Sequence, residues 1–209
     1  YGPFLSTKVN PTQLVAEYLD HKTFPMLPKK ESRKFIITSM VLQVNSIGSH
    51  TVAAHLEDLK NSGQATPYDI IIHMGLNASS SLHNVEICAL NYKVEKVDGC
   101  NFEEKLYEDG PEILSTTMNL NNSSLQKFVT SKKNNIQFSR DAGKYYCNEV
   151  FYDTVYTVIK HGLTTDKLAV PKNQCFKPKK HYEENLIPCF FLHVPLIEKV
   201  EPTADVKKK

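Results

Sequence analysis

The 209-residue sequence has no apolar run near the roughly 20 residues that a membrane-spanning helix needs. It has no glycine-rich phosphate loop and no internal repeat, so neither a P-loop nucleotide site nor a solenoid is indicated. It lacks a strong charge imbalance: 25 Lys and Arg stand against 23 Asp and Glu, a net +2. That gives no case for a nucleic-acid or membrane partner, and Lys207-Lys208-Lys209 reads as a short solvated tail. No signal sequence is visible, and the chain starts abruptly at Tyr1. The five cysteines, Cys88, Cys100, Cys147, Cys175 and Cys189, are odd in number and widely spread, which predicts free thiols in a reducing, cytoplasmic setting. Among these, His161, Cys175, His181 and Cys189 lack the paired close spacing of a structural zinc site. The sequons at Asn77 and Asn122 are short, common patterns and carry no weight without a secretory signal.

What is present is an ordinary globular composition, 41% hydrophobic and 23% charged, long enough for one domain over residues 1–209 with a real core. The chain is organised around Asp141-Ala142-Gly143-Lys144-Tyr145-Tyr146-Cys147-Asn148-Glu149-Val150. Upstream, Asn135-Ile136-Gln137-Phe138 reads as a short buried strand. Gly143 allows a sharp turn, and Val150, Phe151, Thr154, Val155 and Val158 recur at helical spacing. The order is strand, turn, cysteine, helix. A thiol at a helix N-terminus meets unpaired N–H groups and the positive end of the macrodipole, which predicts a depressed pKa and a nucleophile. The alternative is a cysteine that merely packs.

Elsewhere, Asn10-Pro11-Thr12 opens a helix, with Asn10 as its cap. Residues 35–42 look strand-like, and 49–59 form an amphipathic helix stopped by Gly63. Tyr68 to Gly75 is an apolar run without alternation, the mark of a strand covered on both faces. The small polar stretch 76–81 reads as the loop at its C-terminal end, where open α/β sheets hold their sites. Leu82 to Leu90 has strand character, residues 93–110 look irregular, and 111–128 hold one or two helical turns. Residues 160–186 read as a surface insertion, Ile187 to Pro195 as a buried strand ending near His193, and 198–209 as a charged tail. This alternation predicts an α/β domain of three α/β/α layers on a mostly parallel central sheet, with helices on both faces. Tyr1-Gly2 looks like the turn after a strand, so the first strand of such a sheet reads as missing, and a closing helix reads as absent after Val200.

Three candidates fall at the ends of buried elements: Glu86, Cys147 and His193. A cysteine nucleophile needs a base, imidazole titrates in the right range, and a carboxylate can fix the ring's tautomer. The Cys147 N–H at the helix start could receive an oxyanion. Spacing alone leaves plainer readings open: His193 as a half-buried strand-end histidine, Glu86 as a solvated residue on a strand face.

The motifs themselves add a resemblance. The Ala142-Gly143 pair, three residues, then Cys147-Asn148 resembles the nucleophile motif of the pyroglutamyl-peptidase I (pyrrolidone-carboxylate peptidase) family of cysteine peptidases. Phe191-Leu192-His193-Val194-Pro195 is similar to that family's histidine motif. Tyr1-Gly2-Pro3-Phe4 with Asn10-Pro11-Thr12 is similar to its N-terminal pattern, and His73-Met74-Gly75 followed by Glu86 matches its strand, loop and glutamate. Glu108-Asp109-Gly110-Pro111-Glu112 looks like animal members, a eukaryotic-type feature. The resemblance implies hydrolysis of the bond after an N-terminal pyroglutamate (5-oxoproline), with Cys147, His193 and Glu86 as catalytic residues. Tyr1, Phe4, Leu76 and Asn77 would then line the lactam pocket. It implies peptide substrates, no metal and no other cofactor, and leaves homo-oligomerisation open.

Departures accompany it. Tyr1 stands where the family usually has Phe, Leu76 where bacterial members have Gln, and Ile87 where they have Arg. Lys96 occupies the offset of a further bacterial Arg. Two other readings stand beside the peptidase: a weak or inactive relative that binds pyroglutamyl peptide ends, and a nucleoside-phosphorylase-like enzyme. The latter expects phosphate-binding Arg or Gly-rich turns that this sequence does not show.

Overall fold

The structure, a computed structural model, describes residues 10–25, 34–97, 100–165 and 186–196. Its elements are α1 (Pro11–Leu19), β1 (Thr23–Pro25), β2 (Lys34–Ile36), α2 (Ser46–Asn61), β3 (Ile71–Asn77), β4 (His83–Glu86) and β5 (Cys88–Leu90). There follow β6 (Lys93–Val97), β7 (Cys100–Glu104), β8 (Ile113–Ser115), α3 (Ser123–Thr130), β9 (Ile136–Ser139), α4 (Tyr146–His161) and β10 (Cys189–Pro195). The expected cap at Asn10 is present, its Oδ1 accepting from the Thr12 N–H at 3.0 Å. Tyr1, Phe4, the segment 166–185 and the tail 198–209 lie outside the described residues.

The α/β class holds, but the sheet is mixed. Its four strands run in the order β3-β10-β4-β9. β3 with β10 and β4 with β9 are parallel, whereas β10 with β4 is antiparallel. The cause is the link between β3 and β4. Only residues 78–82 join Asn77 to His83, too few for the crossover that a parallel return requires. β4 therefore runs back, one strand-width away, and β10 enters the gap. The stretch expected to be irregular contains an antiparallel hairpin, Lys93 facing Glu104 and Val97 facing Cys100. The expected strand over 35–42 is reduced to β2, paired with β1.

Helix α4 is the centre of the packing. Every residue from Asn148 to Val155 is buried, as are Thr157 and Val158. One side packs on α2, another reaches β3 and β10, and a third meets β5 and β8. Val150, Phe151, Tyr152 and Val155 join Leu42, Ala89, Leu114 and Phe191 in the main core. Val158 joins Leu56, Leu163 and Ile187 in a second cluster. Such a helix must satisfy its polar groups internally. Asn148 does so against β5: its Oδ1 accepts from Leu90 N–H, and its Nδ2 donates to the carbonyls of Leu90 and Tyr92, each at 2.8 Å. Among the described residues no helix is long and apolar enough to cross a membrane.

Removing that carboxamide strands one backbone donor and two acceptors. Asn148→Ala is expected to cost about 2–4 kcal/mol, read as a lower urea midpoint at unchanged m-value.

Candidate active site

Cys147 reaches its position through a locally determined turn. Asp141 Oδ1 accepts from the Gly143 N–H at 3.0 Å, and Gly143 takes φ +83, where a Cβ is strained. The Lys144 carbonyl accepts from Val94 N–H at 2.9 Å, tying the turn to β6. Helix α4 then begins at Tyr146, so Cys147 is its second residue. Its N–H is among the first four that a helix leaves without an intrahelical partner.

The sheet face beneath is built by strand alternation. Phe191 and His193 lie two apart on β10 and so share a face. Phe191 pairs with His73 and His193 with Gly75 on one side, while Glu86 pairs with Phe191 on the other. His193 Nδ1 lies 2.8 Å from Glu86 Oε1, and both side chains are buried. The carboxylate takes that N–H, which fixes the tautomer and leaves Nε2 as the ring's acceptor. Glu86 Oε2 has no hydrogen-bond partner among the described residues, so this carboxylate leans chiefly on the imidazole. Phe191 fixes the ring from below, centroid to centroid 4.6 Å.

Gly75 makes the room for the sulfur. A methyl group there would stand 2.7 Å from Phe191 Cζ and 3.1 Å from Cys147 Sγ. Cys147 thus lies over the β3 position that pairs with His193, one strand spacing of roughly 4.8 Å to the side. Among the described residues no hydrogen bond joins the two side chains. Each of the three stands near the end of its element: Glu86 ends β4, Cys147 is the second residue of α4 and lies over Gly75, and His193 stands two residues before the end of β10. The expected depression of the thiol is overturned. Burial pushes the Cys147 thiol up to about 12, and the Glu86 charge pushes the same way. Desolvation outweighs the helix N-terminus.

Of the predicted pocket residues, Leu76 and Asn77 end β3, paired with Val194 and Pro195. Alternation puts Asn77 on the face of Gly75 and turns Leu76 to the opposite one. Asn77 Oδ1 accepts from the Ser79 N–H and hydroxyl at 3.1 and 2.7 Å, so its amide N–H₂ is directed outward. Three residues had no assigned role in the sequence. Gly75 and Asn148 stood inside quoted motifs, and an Asn in an apolar helical stretch is itself a signal, because it is a poor helix former there. His73, buried against Phe191 with its Nε2 3.0 Å from Thr154 Oγ1, is held neutral by that burial, its pKa lowered to about 4. Among the described residues no group of His, Cys, Asp and Glu side chains is arranged to hold a metal ion.

A cysteine at a helix start over a buried His–Glu pair, on an α/β sheet, defines a thiol hydrolase. The chain belongs to the pyroglutamyl peptidase family, whose model matches residues 1–169. The match stops short of His193, which reaches the matched region through the pairing of β10 with β3 and β4. Among characterised proteins, the pyrrolidone-carboxylate peptidase of Oceanobacillus iheyensis is 27% identical over 164 residues, 76% of this chain and 73% of the relative. Pyroglutamyl-peptidase 1 of Homo sapiens is 23% identical over 90 residues, 42% of this chain and 43% of its own length. Among solved structures, pyrrolidone carboxyl peptidase from Thermococcus litoralis superposes with a TM-score of 0.62 at 23% identity, covering 93% of this chain and 73% of that one. A mutant of the Pyrococcus furiosus enzyme gives 0.64 at 22%, covering 94% and 78%. These structures share the fold.

Two outcomes are expected. Gly75→Ala drives a methyl group into a core ring and the thiol, so the variant should lose about 1–3 kcal/mol in chemical denaturation. It should also change the alkylation rate of Cys147 while leaving that of Cys100 unaltered. Buried, neutral His73 makes stability depend on pH. Below pH 6.5 the unfolded chain takes a proton that the folded one refuses until about pH 4. Stability is thus complete above 6.5, falls by roughly 3 kcal/mol through that window, and levels off below it. In His73→Gln, which keeps a partner for Thr154, the fall between pH 6.5 and 4 should be shallower by that amount.

Proposed function

We propose that this chain removes N-terminal pyroglutamate from peptides, with Cys147 as nucleophile, His193 as general base and acid, and Glu86 as the group that orients His193. The observation that carries the reading is the buried His193–Glu86 hydrogen bond on the sheet face that Cys147 overlooks. In the free protein the sulfur is a protonated thiol, so ionisation accompanies attack. On substrate binding the thiol and His193 Nε2 close to hydrogen-bond distance. The S–H proton passes to Nε2, sulfur bonds to the exocyclic carbonyl carbon of pyroglutamate, and the π-electron pair moves to oxygen. The Cys147 N–H donates to that oxyanion. Collapse expels the amine, which takes the proton from His193, and leaves a thioester. Water gives its proton to His193 as it attacks, and the second collapse returns the thiol and releases pyroglutamic acid.

The lactam is an uncharged ring with one carbonyl and one N–H, suited to an apolar slot with few polar partners. Tyr1 and Phe4 are assigned as the walls of that slot. Asn77 offers its outward amide to the lactam carbonyl, and Leu76, facing away, contributes backbone only. The reducing environment of the cytoplasm suits a chain whose described cysteines, Cys88, Cys100, Cys147 and Cys189, are all free.

Release of a fluorogenic amine from its pyroglutamyl amide tests the reading. Turnover is expected, with loss of about 10³-fold or more in kcat/KM for Cys147→Ala and for His193→Ala. Glu86→Gln, which still positions the ring without its charge, should retain more than either. No release by the wild-type protein, or an active His193→Ala variant, overturns it; saturable binding without release would mark a pyroglutamyl-end binder instead.

A further inference from the structure

Behind the nucleophile helix lies a buried polar cluster that the peptidase chemistry does not use. Glu149 and Asp153 stand one turn apart on α4, each side chain about 1% exposed. His50, from α2, reaches both of them: Nε2 lies 3.1 Å from Glu149 Oε1, and Nδ1 contacts Asp153 Oδ2. Tyr107, from the segment after β7, donates its hydroxyl to Asp153 Oδ1. Lys93 of β6, bonded to Glu104 and Glu95 at 2.9 and 3.0 Å, adds a positive charge near Glu149. The Ser49 hydroxyl of α2 donates to the Ser46 carbonyl at 2.9 Å, and among the described residues neither Glu149 oxygen has a hydrogen-bond partner, so His50 meets Glu149 by proximity and Asp153 by a hydrogen bond. The outer edge of His50 opens on a shallow depression lined by Ile47, Thr51 and Ala54, so solvent protons reach the ring.

With its two ring nitrogens against Glu149 and Asp153, His50 ties two side chains of α4 to α2. Two buried carboxylates on one helix face would repel each other and bear the full cost of desolvation without that ring. The placement matters because Cys147 precedes Glu149 by two residues, about 200° around the same helix turn. One face of that turn holds the thiol against Gly75, and the opposite face is held by His50.

We propose that His50 is a positioning residue for the nucleophile: it clamps α2 to the first two turns of α4 through Glu149 and Asp153, and so sets the depth at which the Cys147 sulfur is seated over Gly75. The proposal rests on Cys147 being the nucleophile for its effect on turnover, but its effect on the thiol is independent of that reading. Loosening the clamp lets the sulfur rise further from its partly buried seat. Access to small electrophiles then increases while the geometry needed for attack is lost.

The test is the iodoacetamide labelling rate of Cys147 relative to Cys189, a fully buried thiol in β10, together with turnover. In His50→Gln, labelling of Cys147 should rise at least about threefold with Cys189 unchanged, and kcat should fall about tenfold with KM within twofold. Tyr107→Phe, a milder cut, should show the same pattern at smaller size and serves if His50→Gln fails to fold. Cys147 labelling that is unchanged in the variant that folds, or a rise shared equally by Cys189, overturns the proposal. A wild type without turnover, but with the labelling pattern intact, would sink the peptidase reading and leave the clamp standing.

Discussion

A helix surrounded on all sides cannot leave a polar group for water to satisfy, and that constraint shapes most of this molecule. α4 is enclosed by the sheet, by α2 and by the β5–β8 ribbon. Yet it carries Asn148, Glu149, Asp153, Thr154 and Thr157 among its buried residues. The partners of several of these are the contacts that define the fold. Asn148 fixes β5, Thr154 fixes His73 on β3, and Asp153 fixes Tyr107 and α2. An apolar helix of the same shape would pack as well but would be freer to slide or rotate. Here the bonds of Asn148, Asp153 and Thr154 select one rotation, and with it one location for the cysteine.

The second consequence of burial is electrostatic. Glu86 and His193 are removed from water together, and the carboxylate has one oxygen committed to the ring and the other without a partner among the described residues. Such a carboxylate gains most when the ring becomes positive, which is what proton transfer from the thiol requires. The same dryness raises the thiol. On the proposed mechanism the sulfur would stay a thiol until His193 takes its proton, a different strategy from a standing thiolate at a helix tip.

Much of this was legible in the residues. The turn at Gly143 and the helix after Cys147 are local signals, set by a positive-φ glycine and a 3.6-residue apolar period. The strands at 71–77 and 189–195 are apolar runs of the right length. What could not be read was whatever depends on neighbours far along the chain. The direction of β4 follows from the five-residue link to β3 together with the arrival of β10 more than a hundred residues later. The β6–β7 hairpin was hidden because Lys93-Val94-Glu95-Lys96-Val97 is largely polar and β7 is exposed along its whole length. The thiol was misjudged because the helix end is visible in the sequence and the desolvating walls are not. Leu76 was grouped with Asn77 by adjacency, whereas the pleat separates them.

One small contact bears on how this chain can change over time. Thr164 and Leu186 form an isolated antiparallel bridge, just past the end of α4 and just before β10. The chain is pinched shut where the segment between them departs and returns. Closing a loop costs entropy that grows slowly with its length, by about 0.6 kcal/mol for each doubling. Evolution can thus lengthen, shorten or rewrite that stretch at little thermodynamic expense, while the strand that presents His193 keeps its register.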